Sequence, residues 1–201
     1  MAILEHELRS ATNAAIGLRR HLTSRDEYYA MVAAGVYGDR RLEMIEGEIV
    51  ETAPIGPGHA SISHPLAKLL ETAFGHQFTV RNQVPISLGD DDFPSEPQPD
   101  LAVVTGNWKD YRKRHPRPSE IKLVVELADS SLAEDRTIKA SLYAAAGIPE
   151  YWIVNLVENC VLVHLGPTVA GYTDIKTYSV GDAITPLLAQ ANAIVLADFL
   201  E

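Results

Sequence analysis

Two apolar runs, Leu101-Ala102-Val103-Val104 and Ile121-Lys122-Leu123-Val124-Val125-Glu126-Leu127, read as buried strands. Each carries a carboxylate at one end: Asp100 precedes the first and Glu126 sits near the end of the second. Downstream, Ile138, Leu142, Ala145 and Ala146 recur at helical spacing, and the pattern predicts a helix over 135–146 that Gly147 stops. Glu134 and Asp135 suit the positive end of that helix. Tyr151-Trp152-Ile153-Val154 follows as a strand, so 121–154 reads strand, helix, strand, long enough to connect parallel strands. Cys160 to Leu165 is the expected hairpin partner.

Upstream, Thr23-Ser24-Arg25-Asp26-Glu27 has the hydroxyl cap and acidic first turn of a helix that ends at Gly35. Leu42-Glu43-Met44-Ile45 and Glu48-Ile49-Val50 flank Glu46-Gly47 and predict a hairpin. Leu66, Leu69, Leu70 and Phe74 predict a helix from His64 to Phe74, with Pro65 in its first turn. Phe78 to Leu88 alternates like a strand, and 193–200 forms a short apolar element. Residues 1–22 read as an N-terminal arm and 23–201 as one domain.

Alternation along a strand puts Asp100, Ala102 and Val104 on one face, and Val124 and Glu126 on one face of the next run. An antiparallel return through 105–120 brings the beginning of the first strand beside the end of the second. Asp100 and Glu126 then converge at one rim. Two ionised carboxylates repel and lose hydration, and a hard divalent cation offsets both costs. Mg2+ binds through one or two carboxylates and keeps its waters. It can polarise a phosphodiester and lower the pKa of water. Lys139, thirteen positions after Glu126, can reach back on its four-carbon stem to stabilise charge on a phosphoryl oxygen.

Charge qualifies this picture. The formal net charge of −10 argues against a protein that passively coats nucleic acid, yet permits an acidic metal centre. The exception is the stretch 109–117, with Lys109, Arg112, Lys113, Arg114 and Arg117 between the two apolar runs. It is either a solvated loop or a contact for backbone phosphates. With 46% hydrophobic residues, a buried core is expected. A lone Cys160, no signal-like N-terminus and no apolar run of membrane length point to a cytoplasmic chain without a membrane partner.

Gln98-Pro99-Asp100-Leu101-Ala102-Val103-Val104, Leu123 to Leu127, Lys139 and Tyr143 to Val154 together resemble the Uma-two family. Its members are putative restriction endonucleases of the PD-(D/E)XK superfamily. Residues 42–50 resemble the family's opening hairpin, His59 a histidine that follows it, and Gln83-Val84-Pro85-Ile86 its middle strand. The resemblance spans about residues 40–200. It implies an α/β fold: a restriction-endonuclease-like mixed β-sheet flanked by helices, with an N-terminal helix and hairpin. It implies Asp100 and Glu126 as metal ligands and Lys139 as the catalytic lysine, with Glu43 as an accessory acid and Gln83 lining the site. The position two after Glu126, where the superfamily's simplest pattern has lysine, is Ala128. In this family the next helix supplies it.

Other constellations carry less. His59 and His64 are five apart and lie without cysteine, a poor zinc pair. Ser130-Ser131 lack nucleophile-elbow glycines and read as caps of the following helix. Trp152, amid apolar residues, reads as core. The expected function is an endonuclease using Mg2+ or Mn2+ to hydrolyse DNA. RNA or single-stranded ends are not distinguished from duplex DNA. A homodimer would cut both strands with one site per chain. The alternative is a catalytically inactive nuclease fold that binds a partner or serves as a scaffold.

Overall fold

The computed structural model describes residues 21–90, 92–189 and 192–200; most of the expected N-terminal arm, 1–20, lies outside them. The chain divides into two compact units, one of residues up to Ala53 with Gly89–Glu96, the other of Pro54–Leu88 and Pro97 onward.

The first unit holds helix α1 (Arg25–Ala33) and the antiparallel strands β1 (Leu42–Ile45) and β2 (Glu48–Glu51). Ser24 and Glu27 form a reciprocal capping box that starts α1 where the sequence predicts. Glu46 and Gly47 both adopt positive φ, the geometry of a two-residue turn that follows the strand twist. Buried Glu96 anchors the unit: Arg25 Nε lies 2.9 Å from its Oε1, and Tyr29 Oη donates to Oε2 at 3.0 Å.

The second unit is built on a six-stranded sheet in the order β3-β4-β5-β6-β7-β8. Its strands are β3 (Phe78–Asn82), β4 (Leu101–Thr105), β5 (Ile121–Ala128), β6 (Glu150–Asn155), β7 (Cys160–Thr168) and β8 (Gly171–Ser179). β5 and β6 are parallel and every other neighbouring pair is antiparallel. This is the mixed sheet flanked by helices that the family resemblance implies. A short pair, β9 (Ala183–Ile184) with β10 (Ile194–Val195), follows.

Strand parity sorts the core. Leu101, Val103, Leu123, Val125, Leu127, Trp152 and Val154 pack on one face against Leu66, Leu70, Ala73 and Phe74 of helix α2 (Pro57–Phe74). Ala102, Val104, Val124, Ala128, Tyr151 and Ile153 take the other face, under Tyr143 and Ala144. Those two residues belong to a connection with three parts: α3 (Leu132–Glu134), a π turn (Asp135–Lys139) and α4 (Ala140–Ala145).

Four local expectations need correction. Helix α2 begins at Pro57, not His64, with Gly56 as its cap; Pro65 is internal. Pro57 supplies the preset φ of a first helical residue. The internal proline removes one helical hydrogen bond, and buried Leu66 and Leu70 beside it hold the helix together. The strand expected over 78–88 ends at Asn82, because Gln83 turns into the left-handed region at φ 50°. The stripe Ile138-Leu142-Ala145-Ala146 is not the buried one: Ile138 is 41% exposed, while Asp135, Lys139, Tyr143 and Ala144 are buried. The π turn accommodates an extra residue and shifts the helix phase, so that Asp135, Lys139 and Tyr143 take the innermost positions while Leu142 and Ala146 pack only partly against the core. Ser131 sits at the helix start, yet its hydroxyl donates to the Asp135 side chain rather than capping the backbone.

Among the described residues no helix is long and apolar enough to cross a membrane.

The two faces predict unequal sensitivity. Leu123→Ala, at a fully buried position, is expected to cost about 2–5 kcal/mol in urea unfolding. Ile138→Ala is expected to stay within about 0.5 kcal/mol of the unmodified chain.

Candidate active site

The site is assembled where β3 ends, β4 begins and β5 ends. Antiparallel pairing matches Leu101 to Val125, so Asp100 falls opposite Glu126 one step further along. Each acid is anchored on the other's strand. Asp100 Oδ2 accepts from the Leu127 backbone N–H at 2.8 Å, and Glu126 Oε2 from the Asp100 N–H at 3.3 Å. Glu126 is buried and the Asp100 side chain 13% exposed, so both carboxylates lie at the rim with little access to water.

Two donors approach Glu126 from the helical connection. Lys139 Nζ lies 3.2 Å from Oε1, and Tyr143 Oη donates to the same oxygen at 2.6 Å. Lys139 is itself buried, so its charge is compensated at close range rather than by solvent. Two donors also approach Asp100 Oδ1: His59 Nε2 at 2.8 Å and Gln83 Nε2 at 3.3 Å. A carboxylate only accepts, so His59 Nε2 is the donor in that pair. The other ring nitrogen, Nδ1, is buried without a hydrogen-bond partner among the described residues. Gln83 is aimed by its left-handed backbone, whose N–H donates to the Asp100 carbonyl at 3.1 Å. Such backbone strain in a residue touching a functional group is typical of sites that hold side chains in place.

Four of the five residues singled out in the sequence thus come together: Asp100, Glu126, Lys139 and Gln83. The fifth, Glu43, lies on β1 in the first unit, opposite Val50, and is buried there. Three further residues shape the site. His59 reaches it because α2 starts early enough to place it in the first turn. Tyr143 lies four residues after Lys139, a spacing visible in the chain but hidden inside an apolar run. Asp135 lies four before Lys139, is 3% exposed, and accepts from Ser131 Oγ at 2.6 Å. Burial pushes its carboxyl up to about 6, against the opposing pull of the Ser131 hydroxyl and the Lys139 charge; Glu134 and Asp100 push it further up.

A hard cation fits this donor set. Among the described residues no group of three or more His, Cys, Asp and Glu is arranged to hold a metal ion. Two converging carboxylates remain, and Mg2+ needs no more than one or two with waters completing its shell, whereas structural zinc needs four protein ligands.

Known proteins place this geometry in context. Residues 25–197 match the model of the Uma2 family, described as putative restriction endonuclease. The fold is similar to a crystal structure of a putative nuclease belonging to DUF820 from Anabaena variabilis ATCC 29413. That match has a TM-score of 0.65 and 17% identity, and covers 88% of this chain and 97% of that one. No curated protein matches the sequence.

Asp135 generates a pH prediction. A carboxyl raised from an ordinary value near 3.8 to about 6 favours the fold while protonated; that contribution is complete below pH 4 and is lost as pH rises through 6. Asp135→Asn is expected to remove this dependence. Urea unfolding across pH 4–7 should show the unmodified chain losing on the order of 2–3 kcal/mol relative to the variant. Parallel pH profiles would contradict the assignment.

Proposed function

Because the chain belongs to the Uma2 family of putative restriction endonucleases, we propose that it hydrolyses DNA phosphodiester bonds at the Asp100–Glu126 rim with Mg2+. The observation that carries the reading is the cross-anchored carboxylate pair with a buried lysine 3.2 Å from one of its oxygens. A bare structural ion pair would need only one acid. Here a second acid is held beside it, and each acid accepts from a backbone N–H on the other's strand.

Asp100 and Glu126 would hold the cation. When bound, it would supply Lewis-acid polarisation of the phosphodiester and a lowered pKa for the attacking water. The chain's own groups do the rest. Tyr143 and the Asp100 N–H fix the Glu126 carboxylate from two sides; His59, Gln83 and the Leu127 N–H fix Asp100. Both acids are therefore preorganised, and little reorganisation is needed as charge develops. Lys139 carries positive charge on a stem long enough to turn from Glu126 towards a phosphoryl oxygen or the incoming water. Its place on the π turn, rather than two residues after Glu126, leaves Ala128 buried in the core.

A duplex has two strands and each chain one such rim, so we propose a homodimer as the cutting unit. Sedimentation at increasing concentration is expected to show a shift from one chain to two.

The direct test incubates the purified full chain with supercoiled plasmid and Mg2+ or Mn2+, beside Asp100→Asn, Glu126→Gln and Lys139→Met. The unmodified chain is expected to nick the plasmid, and EDTA to stop it. The two acid variants are expected to be inactive. Lys139→Met should lose roughly 100- to 1,000-fold, the scale of losing one transition-state donor. Isothermal titration with Mn2+ should show uptake that Glu126→Gln abolishes. Neither uptake nor cleavage by the unmodified chain would leave the fold a binding scaffold.

A further inference from the structure

The connection between β4 and β5 lies at the end of those strands opposite the acidic rim, since Val104 pairs with Ile121 there and Leu101 with Val125 at the other end. It carries one of the chain's two tryptophans, Trp108, which is 61% exposed, whereas Trp152 is fully buried. A single exposed apolar residue is ordinary. The surroundings of Trp108 are not.

Lys109 Nζ and Arg112 Cζ lie 5.8 and 6.0 Å from the centre of the Trp108 ring. Lys113, Arg114 and Arg117 follow, so five of the chain's seventeen basic residues fall within nine positions of a protein whose net charge is −10. The segment is braced. Residues Trp108–Tyr111 form a 3-10 turn capped reciprocally by Asn107 and Asp110. Gly106, at φ 80°, passes so close to the Asp110 carboxylate that a Cβ there would collide with it. Tyr111 is buried; its hydroxyl donates to the Thr105 carbonyl, and the Arg81 and Arg114 guanidiniums lie 5.4 and 5.3 Å from its ring. Arg114 also grips Glu120 through two 2.6 Å hydrogen bonds.

From these observations we infer that Trp108 is a stacking platform for an unpaired nucleobase, with Lys109 and Arg112 receiving the phosphates beside it, so that the substrate carries a single-stranded stretch. The inference rests on the nuclease reading of the rim. Every base has a π face, so an indole stacks on any of them, and flanking cations bind the backbone without reading sequence. A duplex buries its base faces and offers the indole nothing equivalent. The turn already fixes the backbone beneath the ring, so stacking orders little beyond the side chain itself. β4 spans five residues at about 3.3 Å each, which puts the platform on the order of 20 Å from Asp100, several nucleotides along an extended strand.

The test uses the full chain in EDTA, so that binding is read without cleavage. Tryptophan emission is followed on adding oligo-dT, oligo-rU or a mixed-sequence duplex of equal length, and anisotropy of labelled strands gives affinity. Oligo-dT is expected to quench the unmodified chain and to leave Trp108→Phe, whose remaining emitter is the buried Trp152, unchanged. Trp108→Leu is expected to weaken single-strand affinity roughly tenfold or more while duplex affinity stays within about twofold; Trp108→Phe, which keeps a ring, should fall between. Comparing dT with rU tells DNA from RNA. Equal single-strand binding by Trp108→Leu and the unmodified chain would overturn the inference. So would no binding of either single strand, or equal losses for single strand and duplex. A Trp108→Leu chain that sediments as a smaller species would instead make this residue a contact between copies. Failure of the rim is separate: a chain that binds oligo-dT through Trp108 but cuts nothing with Mg2+ keeps the platform and loses the nuclease.

Discussion

Everything at the rim depends on two hydrogen bonds that cross between neighbouring strands. Asp100 accepts from the backbone after Glu126, and Glu126 accepts from the backbone of Asp100. The exchange is possible because β4 and β5 run antiparallel in a register that sets position 100 opposite 126. Repulsion between like charges would otherwise push the side chains apart. Main-chain donors hold them side by side, and the single Lys139 ammonium lies against only one of the two. The remaining donors, His59, Gln83, Tyr143 and Lys139, arrive from three segments, the last two from one helical connection, and attach to the same carboxylates.

Much of this was legible in the chain. Alternation in 101–104 and 121–127 assigns faces without any structure, and the strand–helix–strand length of 121–154 demands a parallel crossover. Both follow from short-range periodicity, which holds along the strands except at the register shift between Val103 and Val104, where Ile121 joins the face of Val104 and Val124. The hairpin at Glu46-Gly47 and the cap at Ser24 were equally local. What escaped was phase and backbone sign. The apolar stripe at 138, 142, 145 and 146 is a sound helical pattern, yet only Leu142 and Ala146 of it pack against the core, while Ile138 and Ala145 face solvent. A left-handed glutamine has no compositional signature, so the end of β3 could not be placed from Phe78–Leu88. The early start of α2 was obscured by Pro65, which reads as a first-turn residue and sits mid-helix instead.

The site residues divide along the same line. Asp100 and Glu126 were readable because strand parity alone puts them together. Lys139 was read both from its spacing after Glu126 and from the family's pattern, and it approaches Glu126 from the π turn. Asp135 and Tyr143 were hidden, because their faces are defined only once the π turn is known. His59 matched a histidine of the family's pattern, and the start of α2 at Pro57 is what brings it to Asp100. The basic stretch 109–117 was visible as charge, but its position at the far end of β4 comes from topology.

The π turn has one more consequence. Between Glu134 and Ala140 the chain carries a residue more than a regular helix would use, and that surplus works as a shim. Remove any one residue there, even solvent-facing Thr137, and the helix would close into uniform winding. Everything downstream would rotate by about a quarter turn, and Tyr143 would swing away from Glu126 although no atom of the acidic pair had been altered.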